Sequence, residues 1–364
     1  MMWAVIFIAM IIFAVVSVIY LVSRFHQFGF VKQIAEKHKV LSWFVAVIPV
    51  ALVACSYFYN ISTMIVLMIH LFVAFLLCDI VFLLIRKISG KEFRYDYQGG
   101  IAILLTVLYL GIGWYNAHNV WQTDYTIHTD KDLGKDSVRV VGFADSHLGI
   151  TLDGEKFSEQ MKRIQQTNPD VVIIAGDFVD DYSDKDDMIA SCRAMGELET
   201  TYGVYFVLGN HDEGYFNRRN FTAQELLDEL EKNHVTVLED ESVLLNDSFY
   251  IVGRKDRSTP DRMDMETLMS NLDKSKYAIV IDHQPNDYAA EAASGADLVF
   301  SGHTHGGHIF PAGWIGLAMG ANDRVYGTEI RENTTFVVTS GISGWAIPFK
   351  TGTFSEFVVL DIEK

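Results

Sequence analysis

Leu298-Val299-Phe300-Ser301-Gly302-His303-Thr304-His305-Gly306-Gly307-His308 sets three histidines and three glycines directly behind a short apolar run. A run of that length bounded by turn residues reads as a buried strand, and the polar cluster as the loop leaving it. The same arrangement occurs four more times upstream. Residues 138–143 lead into Ala144-Asp145-Ser146-His147, 171–174 into Gly176-Asp177-Phe178-Val179-Asp180, 204–208 into Gly209-Asn210-His211-Asp212, and 277–281 into Asp282-His283-Gln284-Pro285. Helical patterns such as 157–166 and 223–232 lie between them. Strands alternating with helices predict an α/β sheet domain, in which chemistry gathers at the C-terminal strand ends.

Those loops carry Asp145, His147, Asp177, Asn210, His283, His303 and His305, all oxygen or imidazole donors with no thiolate. The set suits two borderline divalent ions rather than a closed structural zinc site, which favours cysteine. Read as extended backbone, Asp145-x-His147 and His303-x-His305 each point both side chains the same way, so each pair is expected to reach one cluster. A carboxylate such as Asp177 can bridge two cations about 3.5–4 Å apart, the separation used in phosphoester cleavage. A lone histidine in a polar loop is usually surface decoration. Here six of the chain's 12 histidines, with His211 and His308 counted, stand at strand ends in one ordered series.

Upstream the character changes. Residues 3–22, 40–58, 62–85 and 99–117 are apolar runs near the length of about 20 residues that a spanning helix needs. The first has neither a basic segment before it nor a small-residue cleavage site after it, so it reads as a retained helix. Arg24, Lys32, Lys37 and Lys39 fall between the first two runs and Arg86, Lys87, Lys91 and Arg94 between the last two, whereas the turn Tyr59-Asn60-Ile61 is uncharged. The positive-inside bias puts both basic loops in the cytoplasm, and the N-terminus and everything after Ala117 outside. Trp3, Tyr57, Phe58, Tyr59, Trp114, Tyr115 and Trp121 fall where an outer interface would sit. His70 and Asp79 lie inside the third run on opposite helix faces. Asp79 is expected to share a face with Arg86 and be neutralised by it, and His70 to hydrogen-bond across the bundle. The expected organisation is a transmembrane region over 1–118, a polar linker over 119–137 and a catalytic domain over 138–364.

The 364-residue chain has a net charge of −17. Residues 1–118 hold eight Lys/Arg against four Asp/Glu, so 21 of the chain's 29 bases and 42 of its 46 acids fall in residues 119–364, a net of −21 there. Such a domain argues against nucleic-acid binding, which needs a Lys/Arg footprint. Cys55 and Cys78 lie in apolar runs and leave Cys192 alone in the acidic part, so no disulfide staples it.

Asp-x-His, Gly-Asp-x-x-Asp, Gly-Asn-His-Asp, a lone His after a strand, and Gly-His-x-His, in this order, resemble the calcineurin-like metallophosphoesterase superfamily. Gly302-His303-Thr304-His305-Gly306-Gly307 is similar to its membrane-associated bacterial branch. The resemblance spans roughly residues 137–364 and implies a four-layer α/β/β/α sandwich. It implies that Asp145, His147 and His305 hold one metal, Asn210, His283 and His303 the other, and that Asp177 bridges them. Mn, Fe, Zn and Co all suit this donor set, with Mn favoured. In the implied reaction a metal-bridging hydroxide attacks phosphorus, His211 stabilises the phosphoryl group or protonates the leaving oxygen, and Asp212 orients His211. Asp180 reads as a supporting residue rather than a ligand.

The chain departs from the pattern once, since many relatives have Gln where it has His308. A substrate contact, an auxiliary ligand and a neutral replacement all remain open for that residue. Residues 309–319, with Trp314 among them, are apolar and punctuated by glycine, suiting either a bilayer or acyl-chain contact or a core strand-turn-strand. Arg218 and Arg219 suit either a clamp for a second phosphate or head group, or a solvated pair. Residues 341–345 are placed to close the pocket. The leading expectation is a multi-pass membrane phosphoesterase hydrolysing a phosphate or pyrophosphate ester, of a lipid or lipid-linked substrate, on the extracytoplasmic face. The alternative is an ectophosphodiesterase for soluble nucleotides or cell-wall fragments, with the helices only as anchor.

Overall fold

The computed structural model describes residues 2–90, 97–216 and 218–364, with side chains from residue 12 onward. Lys91, Arg94 and the Trp3 side chain, used above for orientation, lie outside what it describes. The chain divides into two units, Met1–Ile112 and Gly113–Lys364.

The first unit is helical: α1 (Met2–His26), α2 (Gly29–Lys37), α3 (Lys39–Ala54), α4 (Ile61–Ser89) and α5 (Tyr97–His118), the last running into the second unit. Lys39–Phe58, Ile61–Ser89 and Tyr97–His118 are long and apolar enough to cross a membrane, and Ile12–His26 with Gly29–Lys37 forms a pair bent by 81° that adds a fourth crossing if counted as one span. Leu21, Val31, Ala46, Phe75 and Ala102 make the unit's core. The Asn60 side chain caps α4 by accepting the amides of Ser62 and Thr63, satisfying donors that the first helical turn leaves open.

Both ionisable groups of the third run, half-buried in α4, depart from expectation. The Asp79 carboxylate pairs with Arg24 of α1 at 2.8 Å and accepts from the Tyr20 hydroxyl at 2.5 Å and the Gln98 amide at 3.2 Å. Arg86 donates instead to Gln98 Oε1 at 3.0 Å. Sharing a helix face was not enough, because neighbouring helices bring a guanidinium and a hydroxyl directly onto the carboxylate. His70 Nδ1 bonds Val66 O, one turn back in its own helix, at 2.7 Å, and the residue meets α5 by ring contact with Tyr109, centroids 5.6 Å apart, in place of the hydrogen bond expected across the bundle.

The second unit begins with a correction. Residues 120–128, expected as linker, form strand β1 (Val120–His128). Val120, Gln122, Asp124, Thr126 and His128 alternate with Trp121, Thr123, Tyr125 and Ile127, a period-2 pattern hidden by its polar composition. The order continues β2 (Ser137–Phe143), α6 (Gly154–Gln165), β3 (Val171–Ala175), α7 (Lys185–Gly196), β4 (Val204–Val207), α8 (Ala223–Lys232), β5 (Val235–Val237), β6 (Glu241–Leu245), β7 (Phe249–Gly253), α9 (Met265–Met269), β8 (Tyr277–Ile281), α10 (Tyr288–Ser294), β9 (Leu298–Ser301), α11 (Ala312–Ala318), β10 (Gly327–Arg331), β11 (Thr334–Val338) and β12 (Ser355–Glu363). Two six-stranded sheets result, ordered β1-β12-β2-β3-β4-β5 and β10-β11-β9-β8-β7-β6.

Alternation along each strand divides its apolar residues between two faces. Val140, Ile173 and Val207 of one sheet pack on Ile251, Ile279 and Phe300 of the other. On the outer faces, Phe143, Ile174 and Phe206 meet α6, α7 and α8, while Val252, Val280 and Val299 meet α9 and α10. The layers are therefore α/β/β/α, as the resemblance implied.

Close approach of the sheets decides one residue. A Cβ built on Gly142 would lie 2.6–2.9 Å from the Phe300 ring atoms. Gly142→Ala is expected to lower stability by about 1–3 kcal/mol through overpacking, and Gly142→Ala/Phe300→Leu to recover part of the loss. Thermal denaturation of the detergent-solubilised protein checks both, and an unshifted Gly142→Ala melt would contradict the packing described.

Candidate metal centre

Strands β2, β3 and β4 run parallel in one sheet, and β8 and β9 in the other. The loops leaving these five strands supply every predicted ligand. Ligand atoms of Asp145, His147 and His305 all lie within 4.8 Å of one another, and so do those of Asp177, His283 and His303. The groups meet at one atom. Asp177 Oδ2 is 3.1 Å from His283 Nε2 and 3.6 Å from His147 Nε2. Asn210 Oδ1 lies 3.2 Å from His283 Nε2, and His303 Nδ1 lies 3.3 Å from the same nitrogen. The two histidines of His303-x-His305 thus go to different groups, not to one.

Extended alternation does not deliver these side chains. Asp145, His147, Asp177, His303 and His305 all have positive φ, between 35° and 67°. Non-glycine residues avoid this left-handed region, and each instance costs about 1–3 kcal/mol that the surroundings must offset. At Asp177 the offset comes from Asp212, and at His303 from the Asp145 carboxylate, which accepts the His303 amide at 3.0 Å. The Asp212 carboxylate is fully buried and accepts the amides of Asp177, Phe178, Val179 and Gly209 at 2.8–3.0 Å. Asp212 therefore ties the β3 and β4 loops together, and its oxygens are spent on backbone, not on the His211 imidazole as expected.

Supporting bonds orient the imidazoles. His283 Nδ1 bonds Ala175 O at 2.6 Å and so turns Nε2 inward. Asp180 Oδ2 lies 3.6 Å from His147 Nδ1, the supporting place expected of it. His147 Nε2 and His305 Nδ1 are buried without a hydrogen-bond partner, and buried polar atoms normally have one. Orphaned imidazole nitrogens beside an Asp/Asn/His donor set fit divalent cations.

The ligand groups perturb one another's charge: burial lowers His283 and His147, but the surrounding carboxylates, Asp177 and Asp180 foremost, outweigh it and hold His147 above and His283 well above the usual imidazole range. Burial alone would raise the Asp177 carboxyl, but His283, His147 and His211 hold it well below the usual carboxylate range. Burial pushes Asp145 up to about 6 and Asp212 up to about 7. It pushes His303 down to about 4, with His283 adding to the effect. His211 is likewise held below the usual imidazole range by burial. Its amide donates to Asp177 Oδ1 at 2.8 Å, and its ring lies edge-on to Tyr215 with centroids 5.0 Å apart and 5.8 Å from Trp345.

Sequence reading missed Tyr215 and Lys350. The Asn210 amide nitrogen donates to the Tyr215 hydroxyl at 2.9 Å, which leaves Asn210 Oδ1 facing His283. Lys350 is buried, and its ammonium donates to the carbonyls of Ser340 and Gly341 at 2.6 and 3.1 Å, bracing the segment packed against Asp145. Neither belongs to a strand-end motif, so no local signal marked them. Trp345, at the expected pocket-closing segment, is in place beside His211 and His305.

The remaining candidates part company. Arg219 donates to Asp212 O at 2.6 Å and packs over Phe221, bracing the loop. Arg218 is exposed, bonded to the Tyr182 hydroxyl and lying over the Tyr182 and Phe216 rings. His308 has its ring 5.4 Å from that of His305, and its Nε2 is buried and unpartnered. Trp314 lies outside both ligand groups, exposed on α11.

Residues 138–307 match the calcineurin-like phosphoesterase family. The chain is 27% identical over 303 residues to an uncharacterized metallophosphoesterase of Campylobacter jejuni, covering 80% of this chain and 78% of that one. It is 28% identical to a transmembrane protein with metallophosphoesterase domain of Danio rerio, covering 74% of this chain and 63% of that one. A solved dimetal phosphatase from Danio rerio is similar at a TM-score of 0.37 and 10% identity, over 57% of this chain and 87% of that one. Fold and site together define a metal-dependent phosphoesterase. The chain carries a calcineurin-like metallophosphoesterase domain behind its apolar helices.

Because Tyr215 and Asp180 support different ligand groups, their loss should separate in metal binding. Tyr215→Phe is expected to weaken metal binding at the group of Asp177, His283 and His303, beside which Asn210 lies, and Asp180→Asn at the group of Asp145, His147 and His305, each by about 10–100-fold. Manganese titration against a competing chelator reads both, and a single shared loss in either variant would refute the assignment.

Proposed function

We propose that the protein is an integral membrane phosphoesterase that uses two divalent ions, manganese foremost, to hydrolyse a phosphate or pyrophosphate ester of a lipid or lipid-linked substrate at the extracytoplasmic face. The observation carrying this is the pair of ligand groups meeting at Asp177 Oδ2, 3.1 Å from His283 and 3.6 Å from His147. Asp145, His147 and His305 would hold one ion and Asn210, His283 and His303 the other, with Asp177 between. Bound there, such ions supply a water of lowered pKa and positive charge against the phosphate oxygens.

The chain's own groups do the rest. His211 enters uncharged, since burial holds its pKa down, and offers its ring N–H to a phosphoryl oxygen. The negative charge of a bound ester favours the protonated ring, so the imidazole takes up a proton from solvent water and passes it to the leaving oxygen, returning to its neutral form. Tyr215 and Trp345 flank the ring and limit its rotation. The lipid class is supported by the apolar helices preceding the domain, and the extracytoplasmic side by the basic loops Arg24–Lys39 and Arg86–Lys87.

One observation favours the alternative of soluble nucleotides. Tyr182, Phe216 and Trp345 are exposed aromatic rings, and Arg218 lies over the first two, a surface on which a nucleobase stacks.

Manganese-loaded full-length protein is expected to release phosphate from lipid phosphates in mixed micelles faster than it cleaves bis-p-nitrophenyl phosphate or nucleotides. Asp177→Asn is expected to abolish turnover, and His211→Ala to lower kcat by about 10²–10⁴-fold with metal content retained. Preference for nucleotides would transfer the site to the alternative; wild-type rates in His211→Ala would remove that residue from the reaction.

A further inference from the structure

Immediately beyond the ligand His305 the chain builds a groove that the hydrolytic chemistry does not use. Its volume is about 330 Å³, at the small end of ligand pockets. Phe310, Pro311, Trp314, Leu317, Val325 and Tyr326 line it, and Gly306 and Gly307 join it to the metal motif. Its floor is bare backbone. A Cβ on Gly313 would come within 2.6 Å of Gly307 Cα and 2.9 Å of Val325 Cγ1, so α11 sits on the loop without side chains between them. The seat is fixed, because Thr304 Oγ1 donates to Val325 O at 2.6 Å and the amides of Thr351 and Gly352 both donate to His308 O at 2.9 Å.

The surface of α11 has no water-facing logic. None of its residues is buried, and Trp314 is 71% exposed, with Phe310, Ile315, Leu317 and Met319 exposed around it. A contiguous apolar patch of this kind marks a binding surface. Its polar atoms are already committed, which decides what it binds. Arg324, the one charged lining residue, pairs with Glu329 at 3.1 Å and donates to Tyr326 O at 2.9 Å, while the Tyr326 hydroxyl donates to Glu356 at 3.0 Å. A second phosphate or head group would have to compete with Glu329 for the one cation there.

We propose that this groove seats a single alkyl or acyl chain of the substrate whose phosphate lies at the metal ligands. The proposal rests on the lipid reading above and adds to it where the chain goes. Continuity with His305 through Gly306 and Gly307 places a chain in the groove on the same molecule as a phosphate at the site. The bilayer in which the apolar helices lie is the source of such molecules.

The test uses full-length, manganese-loaded protein and the monomeric series butyl, octyl, dodecyl and hexadecyl phosphate, with phosphate release measured below micelle formation. In the wild type kcat/KM is expected to rise with length, by up to about fourfold per methylene buried, until the groove is full. Trp314→Ala/Leu317→Ala is expected to flatten that rise. Leu317→Trp, which fills the groove from an exposed position, is expected to move the plateau to shorter chains. A wild-type rise left intact in both variants overturns the groove while leaving the lipid reading standing. No rise in the wild type, with bis-p-nitrophenyl phosphate still cleaved, overturns the lipid reading itself. A rise intact in the variants but turnover lost on phosphatidate vesicles means that α11 docks on the bilayer surface, and this too overturns the proposal.

Discussion

A buried carboxylate shared by imidazoles from both sheets governs this domain. Asp177 is 2% exposed and Oδ2 faces both ligand groups. A charge withdrawn from water in this way is tolerable only if opposite charge or hydrogen bonds converge on it. Its other oxygen accordingly accepts the His211 amide, and histidines approach from β2 in the same sheet and β8 in the other. The requirement propagates outward. The sheets must pack closely enough for loops of both to meet, hence Gly142 under Phe300. The β3 loop must turn left-handed at Asp177, hence the four amides gathered by Asp212.

That role of Asp212 is one case of a general use of acids here. Asp181 accepts the amides of Tyr215 and Phe216, Asp240 those of Lys255 and Met263, and Asp170 that of Arg139. Asp153, Asp184 and Asp264 cap α6, α7 and α9. Aspartate suits these places because a short carboxylate satisfies amides that turns and helix starts leave open. These seven aspartates, Asp212 included, are the part of the acid in residues 119–364 that holds turns, strand-end loops and helix starts.

What was legible in the sequence follows from range. The five strand-end motifs could be read because each is a local juxtaposition of an apolar run and a polar cluster, and their order on the chain is also the order in which the sheets present them. β1 escaped because its alternation lies under a polar composition and its parallel partner β12 is some 230 residues away, beyond any local pattern. Tyr215 and Lys350 escaped for a related reason, as their importance lies in what the fold brings them against. The extended reading of the Asp-x-His and His-x-His pairs failed differently. It assumed that strand geometry persists past the strand end, whereas the ligands lie in the left-handed turns that replace it.

An acidic domain must still recognise an anionic phosphate. Basic groups near the site are largely engaged: Arg219 on Asp212 O, Arg254 and Arg262 on Asp282, Lys350 on two carbonyls. Long-range steering of a phosphate by surface charge is therefore unfavourable, since the domain's field has the wrong sign. Affinity for the phosphate then falls to cations in the ligand groups, which act at contact distance, and discrimination among phosphates falls to uncharged surfaces. Around this centre those surfaces are of two kinds, the aromatic rim of Tyr182, Phe216 and Trp345 and the apolar wall of α11. With the exposed Arg218 lying over Tyr182 and Phe216, only the α11 wall is free of the ionic-strength dependence of a basic patch. A substrate confined to a bilayer suits that division of labour, because its local concentration is set by the membrane and not by electrostatic capture from solution.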